Sequence, residues 1–351
     1  MRMILSIFNS KKIPYAFIGC LILLLTVDGF VRRHALSLTT ISDAIVHYKK
    51  GLIESRHSFP YNGLIMGDSR ILGLHAKEIS AAVTQKTGQP YQFFNYSFPN
   101  CGVASYYLLL KKHLHNHPKP DVIVLMISPV ALTDEWRLDN TQNPDATSLI
   151  YFSTLFNLPE ALQALPRRLI PKYLVLKLEQ QFHLIYYRKK IAQFLKDPSE
   201  YKDRAPWLKR SLSKSNGGAL IVRNKPVTEE EIKKSSSFRA VFDVDRDSLH
   251  WLTRFFELTQ HHNIRVVIAN APLVKQVYEQ REANGFNVSY ARVIAQQTEQ
   301  FDTIHTLKPL LESYPIEYYS DASNHLNVRG FKKLTEELGV KLGNALLINA
   351  P

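Results

Sequence analysis

The sequence predicts an α/β protein with a parallel sheet of about five strands, and three observations carry that reading. Short apolar runs alternate with stretches of helical period over residues 60–135 and again over 245–351. The run Asp121-Val122-Ile123-Val124-Leu125-Met126-Ile127 is almost purely apolar, as a central parallel strand covered on both faces must be. Gly67-Asp68-Ser69 follows the apolar run Gly63-Leu64-Ile65-Met66 and precedes a helical pattern, so Ser69 falls at a strand-to-helix turn. Such turns sit at the carboxyl edge of an open sheet, where ligands bind.

Taken in chain order, the first element is the run Ile13 to Val31, apolar apart from Thr26 and Asp28 and flanked by Lys11-Lys12 and Arg32-Arg33-His34. About 20 apolar residues span a bilayer, so this run is expected to be an N-terminal transmembrane helix. No small-x-small site closes it as a cleaved signal peptide would require, which favours an uncleaved signal anchor. Arg2, Lys11 and Lys12 favour an inside amino terminus. The expectation is a single-pass protein of the inner or plasma membrane, its soluble domain outside the cytoplasm.

A helix is expected over Leu36–Arg56, a strand at Gly63–Met66 and a helix over Ile71–Lys86. A second strand at Tyr91–Tyr96, a helix over Val103–His115 and the strand at Asp121–Ile127 follow. The alternation then stops, and residues 136–244, punctuated by Pro159, Pro166, Pro171 and Pro206, read as a mainly helical insertion. It resumes with a helix over Asp245–His261, a strand at Ile264–Ala269, a helix over Ser289–Gln300 and a weak strand at Ile316–Tyr319. The closing helix carries Phe331, Leu334, Leu338, Leu342 and Leu346 on one face, with Asn327 as its N-cap. The organisation is thus an anchor at 1–34, a core in two parts at 35–135 and 245–351, and the insertion between them.

The formal charge of +13 over 351 residues favours an anionic partner: phospholipid, acidic envelope polymer or nucleic acid. No nucleic-acid motif occurs and the anchor opposes that reading, so no nucleic-acid partner is expected. Cys20 lies in the apolar run, which leaves Cys101 without a disulfide partner in the soluble part.

The candidate chemistry joins the two ends of the core. Serine is a poor nucleophile without an adjacent base and a group that orients the base. Near the far end, Asp321-Ala322-Ser323-Asn324-His325-Leu326-Asn327 supplies both just before the last helix. Ser69 and His325 both fall at expected carboxyl ends of strands, and Asp321 is close enough in sequence to hold one imidazole nitrogen. Oxyanion donors are sought in the backbone N–H of Ser69, Arg70 or Gly102 and in the Asn100 side chain.

His113 and His117 share a helical face with no third ligand nearby in sequence, so no metal is expected. Asn95-Tyr96-Ser97 and Asn287-Val288-Ser289 match glycosylation acceptors by chance, the first in a predicted buried strand. The segment Arg167 to Lys196 mixes apolar and basic residues. It is compatible with a face lying on an anionic membrane, with a lid, or with a packed helix whose basic side is solvated.

The pattern resembles the SGNH (GDSL-like) hydrolase family over residues 60–135 and 245–351. Gly67-Asp68-Ser69 resembles its first block, the loop Phe98-Pro99-Asn100-Cys101-Gly102 its glycine block, and His325-Leu326-Asn327 its last. More narrowly, the chain resembles the membrane-anchored extracytoplasmic members found beside membrane-bound O-acyltransferases, such as those of lipoteichoic-acid D-alanylation and alginate O-acetylation. The resemblance implies a three-layer α/β/α core and acyl transfer or ester hydrolysis on a cell-envelope polymer or lipid through an acyl-serine, without a cofactor. It also implies a membrane-bound O-acyltransferase as partner. The alternative is a catalytically impaired binding or partner subunit of such a system. Two positions depart from the family pattern: Asp321 precedes His325 by four residues instead of three, and Ser128-Pro129 stands where an asparagine is expected. Asn270, at the end of the fourth strand, is a candidate substitute donor.

Overall fold

Strands whose side chains alternate between two buried faces organise the molecule. The computed structural model describes residues 12–33, 41–55, 59–133, 147–196, 210–218, 227–233, 241–322 and 324–348. Its strands are β1 (Gly63–Gly67), β2 (Phe93–Asn95), β3 (Val122–Met126), β4 (Arg265–Ala269), β5 (Leu273–Val274), β6 (Ile304–Thr306) and β7 (Ser313–Tyr314). Five form one sheet in the order β2-β1-β3-β4-β6, every neighbouring pair parallel. β5 and β7 pair separately as a small parallel ribbon.

The helices are α1 (Lys12–Arg33), α2 (Ile41–Glu54), α3 (Ala76–Thr87), α4 (Val103–Asn116), α5 (Thr147–Leu155), α6 (Leu158–Ala164) and α7 (Ile170–Gln181). They continue with α8 (His183–Tyr186), α9 (Arg188–Lys196), α10 (Glu229–Lys233), α11 (Arg246–His261), α12 (Lys275–Ala283), α13 (Phe286–Thr298) and α14 (Val328–Ile348). Both faces of the sheet are covered. Leu64, Met66, Ile123 and Leu125 point toward a core shared with α2, α4, α11 and the insertion helices. Ile65, Val122, Val124 and Val267 point the other way, against α3 and α14. Such period-two division is what a parallel sheet with helices on each side requires. α3 and α14 approach closely: a Cβ on Gly339 would lie 2.9 Å from Cβ of Ala82.

Several sequence expectations are corrected. The segment at Ile316–Tyr318 is a 3-10 turn following Pro315, not a strand, and the fifth strand is β6. Three residues are too few to show a period, and β6 pairs on one side only, so its sequence carries no continuous apolar run. α12 went unpredicted because its sequence KQVYEQREA is strongly polar, with only Val277 and Arg281 buried. The helix expected from Ile71 is instead a 3-10 turn at Ser69–Ile71, with α3 starting at Ala76. Asp68 accepts from the N–H of Arg70 and starts that tight turn. The Asn95 amide then takes the carbonyls of Ile71, Leu72 and Leu74, which continued α-helix would have used internally.

α1 forms over the expected N-terminal segment, and Tyr15, Phe17, Leu21, Ile22, Leu25 and Phe30 are among its exposed apolar side chains. Among the described residues, no helix is long and apolar enough to cross a membrane. Arg2, Lys11, His34, residues 36–40 and Arg56 of the sequence-level reading lie outside the described residues, as do 136–146, 197–209, 219–226 and 234–240 of the insertion, Pro206 among them.

Candidate active site

The turn after β1 presents Ser69. Gly67, the last residue of the strand, needs to lack a side chain, because a Cβ there would lie 2.9 Å from the carbonyl oxygen of Met126 and 2.7 Å from Cδ1 of Ile71. Ile71 folds back over this spot and anchors the 3-10 turn in the core. Ser69 is left half-buried at the carboxyl edge of the sheet, with Asp68 buried beneath it.

The loop before α14 brings the base to the same edge. Tyr319 and Leu326 form an antiparallel bridge. The His325 carbonyl accepts from Ser320 N–H at 2.8 Å and Ser320 Oγ at 3.1 Å. Asn327 N–H donates to Tyr318 O, and Gly330 N–H donates to Asn327 Oδ1, so Asn327 caps α14 as expected. Asn324, at φ 64°, takes up the left-handed conformation that asparagine tolerates better than most residues. That turn accommodates the four-residue spacing between Asp321 and His325; Ser323 lies outside the described residues.

The three side chains form one hydrogen-bonded chain. His325 Nδ1 is 2.8 Å from Asp321 Oδ2, and His325 Nε2 is 2.8 Å from Ser69 Oγ. An ionised carboxylate only accepts, so Nδ1–H donates to Asp321, and Nε2 of the neutral ring accepts the Ser69 hydroxyl. The His325 backbone N–H also donates to Asp321 Oδ1, at 3.3 Å. With 29% and 21% of their side-chain surfaces exposed, His325 and Asp321 are open to a substrate yet partly shielded.

A buried polar hub that the sequence reading missed holds this edge together. Asn95 is fully buried; besides its three carbonyl bonds to the turn after Ser69, its Oδ1 accepts from Ser97 N–H, Ser97 Oγ and Lys49 Nζ. Lys49, from α2, is also fully buried and donates to Ser97 O at 2.7 Å. Burial pushes the Lys49 ammonium well below its ordinary pKa. The available signal was weak: Lys49 is the first of the pair Lys49-Lys50 that follows Ile45-Val46-His47-Tyr48, and Asn95 is an asparagine inside a strand. Burial of Asn95 and Asn287 also accords with reading their glycosylation triplets as chance. Asn95→Leu takes the amide donor from the Leu72 and Leu74 carbonyls, leaves Ile71 O with only the Leu74 N–H, and removes one of the two acceptors of Lys49. It is expected to lower unfolding stability by about 2–4 kcal/mol, read from the midpoint of urea denaturation.

The loop 98–102 lies over the end of β1, since Phe98 N–H donates to Gly67 O. Asn100 is left-handed at φ 52°, and Gly102 is the N-cap residue of α4. Between them, burial pushes the Cys101 thiol up to about 12, so it stays protonated and is no rival nucleophile. A cavity of about 260 Å³ opens from this loop toward the insertion, lined by Asn100, Gly102, Ser105, Leu165, Asp247 and Trp251 among others.

Arg70 and Asn270 are placed differently. The Arg70 guanidinium donates to Ser128 Oγ and lies 3.9 Å from Asp68 Oδ2, tying the end of β1 to the end of β3. Asn270 Nδ2 donates to the Tyr290 hydroxyl, which donates to Ile127 O. Asn270 therefore belongs to a bond network that braces β3 against α13. His113 and His117 sit side by side in an aromatic cluster with Phe59 and Tyr96. Among the described residues no group of three metal-type side chains gathers.

Fold and site together define an α/β protein with a serine, imidazole and carboxylate in hydrogen-bonded series at the carboxyl edge of a parallel sheet. The chain belongs to the family described as Protein of unknown function (DUF1574), which it matches over residues 61–341. No curated protein matches it. Among solved structures it is similar to one provisionally described as a platelet activating factor from Streptococcus pneumonia, at 10% identity over 90% of this chain and 98% of that one. The TM-score is 0.34, too low for that likeness to inform the site.

Proposed function

We propose that this chain is an SGNH-like serine esterase or O-acyltransferase, tethered to the membrane by α1 and acting outside the cytoplasm on an acylated envelope polymer or lipid. The observation that carries the reading is the unbroken series Ser69–His325–Asp321, with both links at 2.8 Å. In the first half-reaction Ser69 Oγ attacks the ester carbonyl while its proton passes to His325 Nε2. The tetrahedral oxyanion is taken up by the N–H groups of Ser69 and Gly102, with the Asn100 amide beside them. His325 returns the proton to the departing alkoxide, leaving an acyl-serine. Water or a sugar hydroxyl then gives its proton to Nε2 and attacks the acyl carbon, and that proton returns to Ser69 as the acyl group leaves. Asp321 holds the imidazole in the tautomer this sequence needs and stabilises the imidazolium that forms. Under the transfer reading, a membrane-bound O-acyltransferase supplies the acyl group.

A fluorophosphonate tests the reading directly, because the nucleophile's Oγ–P bond forms as fluoride leaves. Mass spectrometry of the full-length protein in detergent is expected to find a single phosphonyl adduct on the peptide carrying Ser69, formed at least about 10²-fold more slowly in His325→Ala. Complete absence of the adduct in wild type would favour the partner-subunit alternative.

A further inference from the structure

The apolar surface of the insertion has no place in the chemistry above, and its position relative to α1 gives it one. α7 exposes Leu174, Val175 and Leu178, which fall on one helical face at i, i+1 and i+4. Phe182 and Ile185 continue the apolar surface, at 47% and 46% exposure, where burial would be expected for side chains of this size. Basic residues interleave with them. Positions 167–196 hold eight lysines and arginines against one glutamate, Glu179, which is itself paired with Arg188 at 3.3 Å. Arg167, Arg168, Lys172, Arg188 and Lys196 are exposed.

The second observation is where this surface is fastened. Asp28, the lone acid of the apolar run, accepts from the N–H of Leu184 at 2.7 Å, and its other oxygen lies 3.7 Å from His183 Nδ1. Val31 and Tyr187 bury against each other beside this contact. Asp28 lies three residues beyond Leu25, about 4.5 Å further along the helix axis. The insertion is therefore clamped to α1 close to the C-terminal end of its exposed apolar stretch, between Val27 and Phe30. The clamp also accounts for a carboxylate within that stretch, since the α8 N–H satisfies it.

We infer that the α7–α8 face of the insertion docks on the surface of an anionic phospholipid bilayer, its leucines and phenylalanine in the acyl boundary and its cations among the head groups. Apolar area together with attraction to anionic lipid is the combination that holds interfacial helices. The inference rests on the reading of α1 as a tether for its geometry, since the clamp then sets the insertion at the point where α1 leaves the membrane.

The test uses the full-length chain in a Cys20→Ser background, reconstituted in vesicles of phosphatidylcholine with or without 25% phosphatidylglycerol. Single environment-sensitive labels are placed through Leu178→Cys on the proposed face, Ile22→Cys on α1 and Lys77→Cys at an exposed position of α3. Quenching by doxyl-labelled lipid is the readout. At position 178 it is expected to be at least about twofold stronger than at 77, and to rise with phosphatidylglycerol content. A label at 178 quenched no more than at 77, while 22 is quenched, overturns the docking face and leaves the tether standing. Quenching at 178 but not at 22 supports docking and removes the tether. A label at 178 that is shielded from water yet unquenched by lipid means that protein covers the face, and it overturns the inference. Quenching indifferent to phosphatidylglycerol overturns the anionic assignment.

Discussion

Ser69→Ala is expected to lower turnover of an activated ester such as p-nitrophenyl acetate by about 10³- to 10⁶-fold, the range found when a nucleophile that acts with its base as a unit is lost. The side chain is half-buried and donates one hydrogen bond, to His325 Nε2, so its removal leaves the fold intact. An unchanged circular dichroism spectrum is the check. His325→Ala removes the proton carrier and is expected to cost nearly as much. Because the two act together, the double variant should be little worse than either single one. Asp321→Asn keeps the size of the side chain, but it offers an amide to Nδ1 and favours the wrong tautomer. A loss of about 10²- to 10⁴-fold is expected there. Ser69→Ala activity within about tenfold of wild type would remove the serine from the reaction and the proposed function with it.

Acid is expected to destabilise the fold through His113, a group remote from the chemistry. Burial, with the neighbouring His117 adding to it, lowers the His113 pKa from 6.5 to about 4. The side chain is fully buried, edge-on to Phe59 and Tyr96. Between these two values the unfolded chain holds a proton that the folded chain does not, so stability rises with pH across the window. The contribution is complete above about 6.5 and is lost as pH falls toward 4. A displacement of this size corresponds to about 3 kcal/mol. Urea unfolding at pH 7 and at pH 4.5 should show most of that difference in wild type. His113→Phe keeps the aromatic packing and lacks the titration, so its stability should fall less over the same interval. Equal pH dependence in the two proteins would exclude His113 as the source.

Legibility in the sequence followed the length and uniformity of each signal. β1, β3 and β4 are five-residue runs that are almost entirely buried, and their apolar composition announces them. α14 could be read from the leucine stripe Leu334, Leu338, Leu342 and Leu346, all buried in the structure. β6 and α12 could not, because one is three residues long and the other buries only two side chains. The turn at Ser69 was visible as a position but not as a conformation. Its 3-10 geometry depends on Asp68 locally and on Asn95, more than twenty residues away, which takes the carbonyls a helix would have kept.

Residue identity and local pattern by themselves determined the α/β class, the placing of Ser69 after a strand, and the pairing of a histidine with a nearby carboxylate before the final helix. Those properties are written within windows of a few residues. Tertiary structure alone decided that Ser69 Oγ and His325 Nε2, 256 positions apart, stand 2.8 Å from each other. It also decided that Asn324 can turn the loop enough for Asp321 to reach Nδ1 across an irregular spacing, and that Asp28 holds the insertion against α1. Such contacts depend on parallel strands bringing distant turns to one edge and on packing that closes long loops, and neither leaves a periodic trace in the chain.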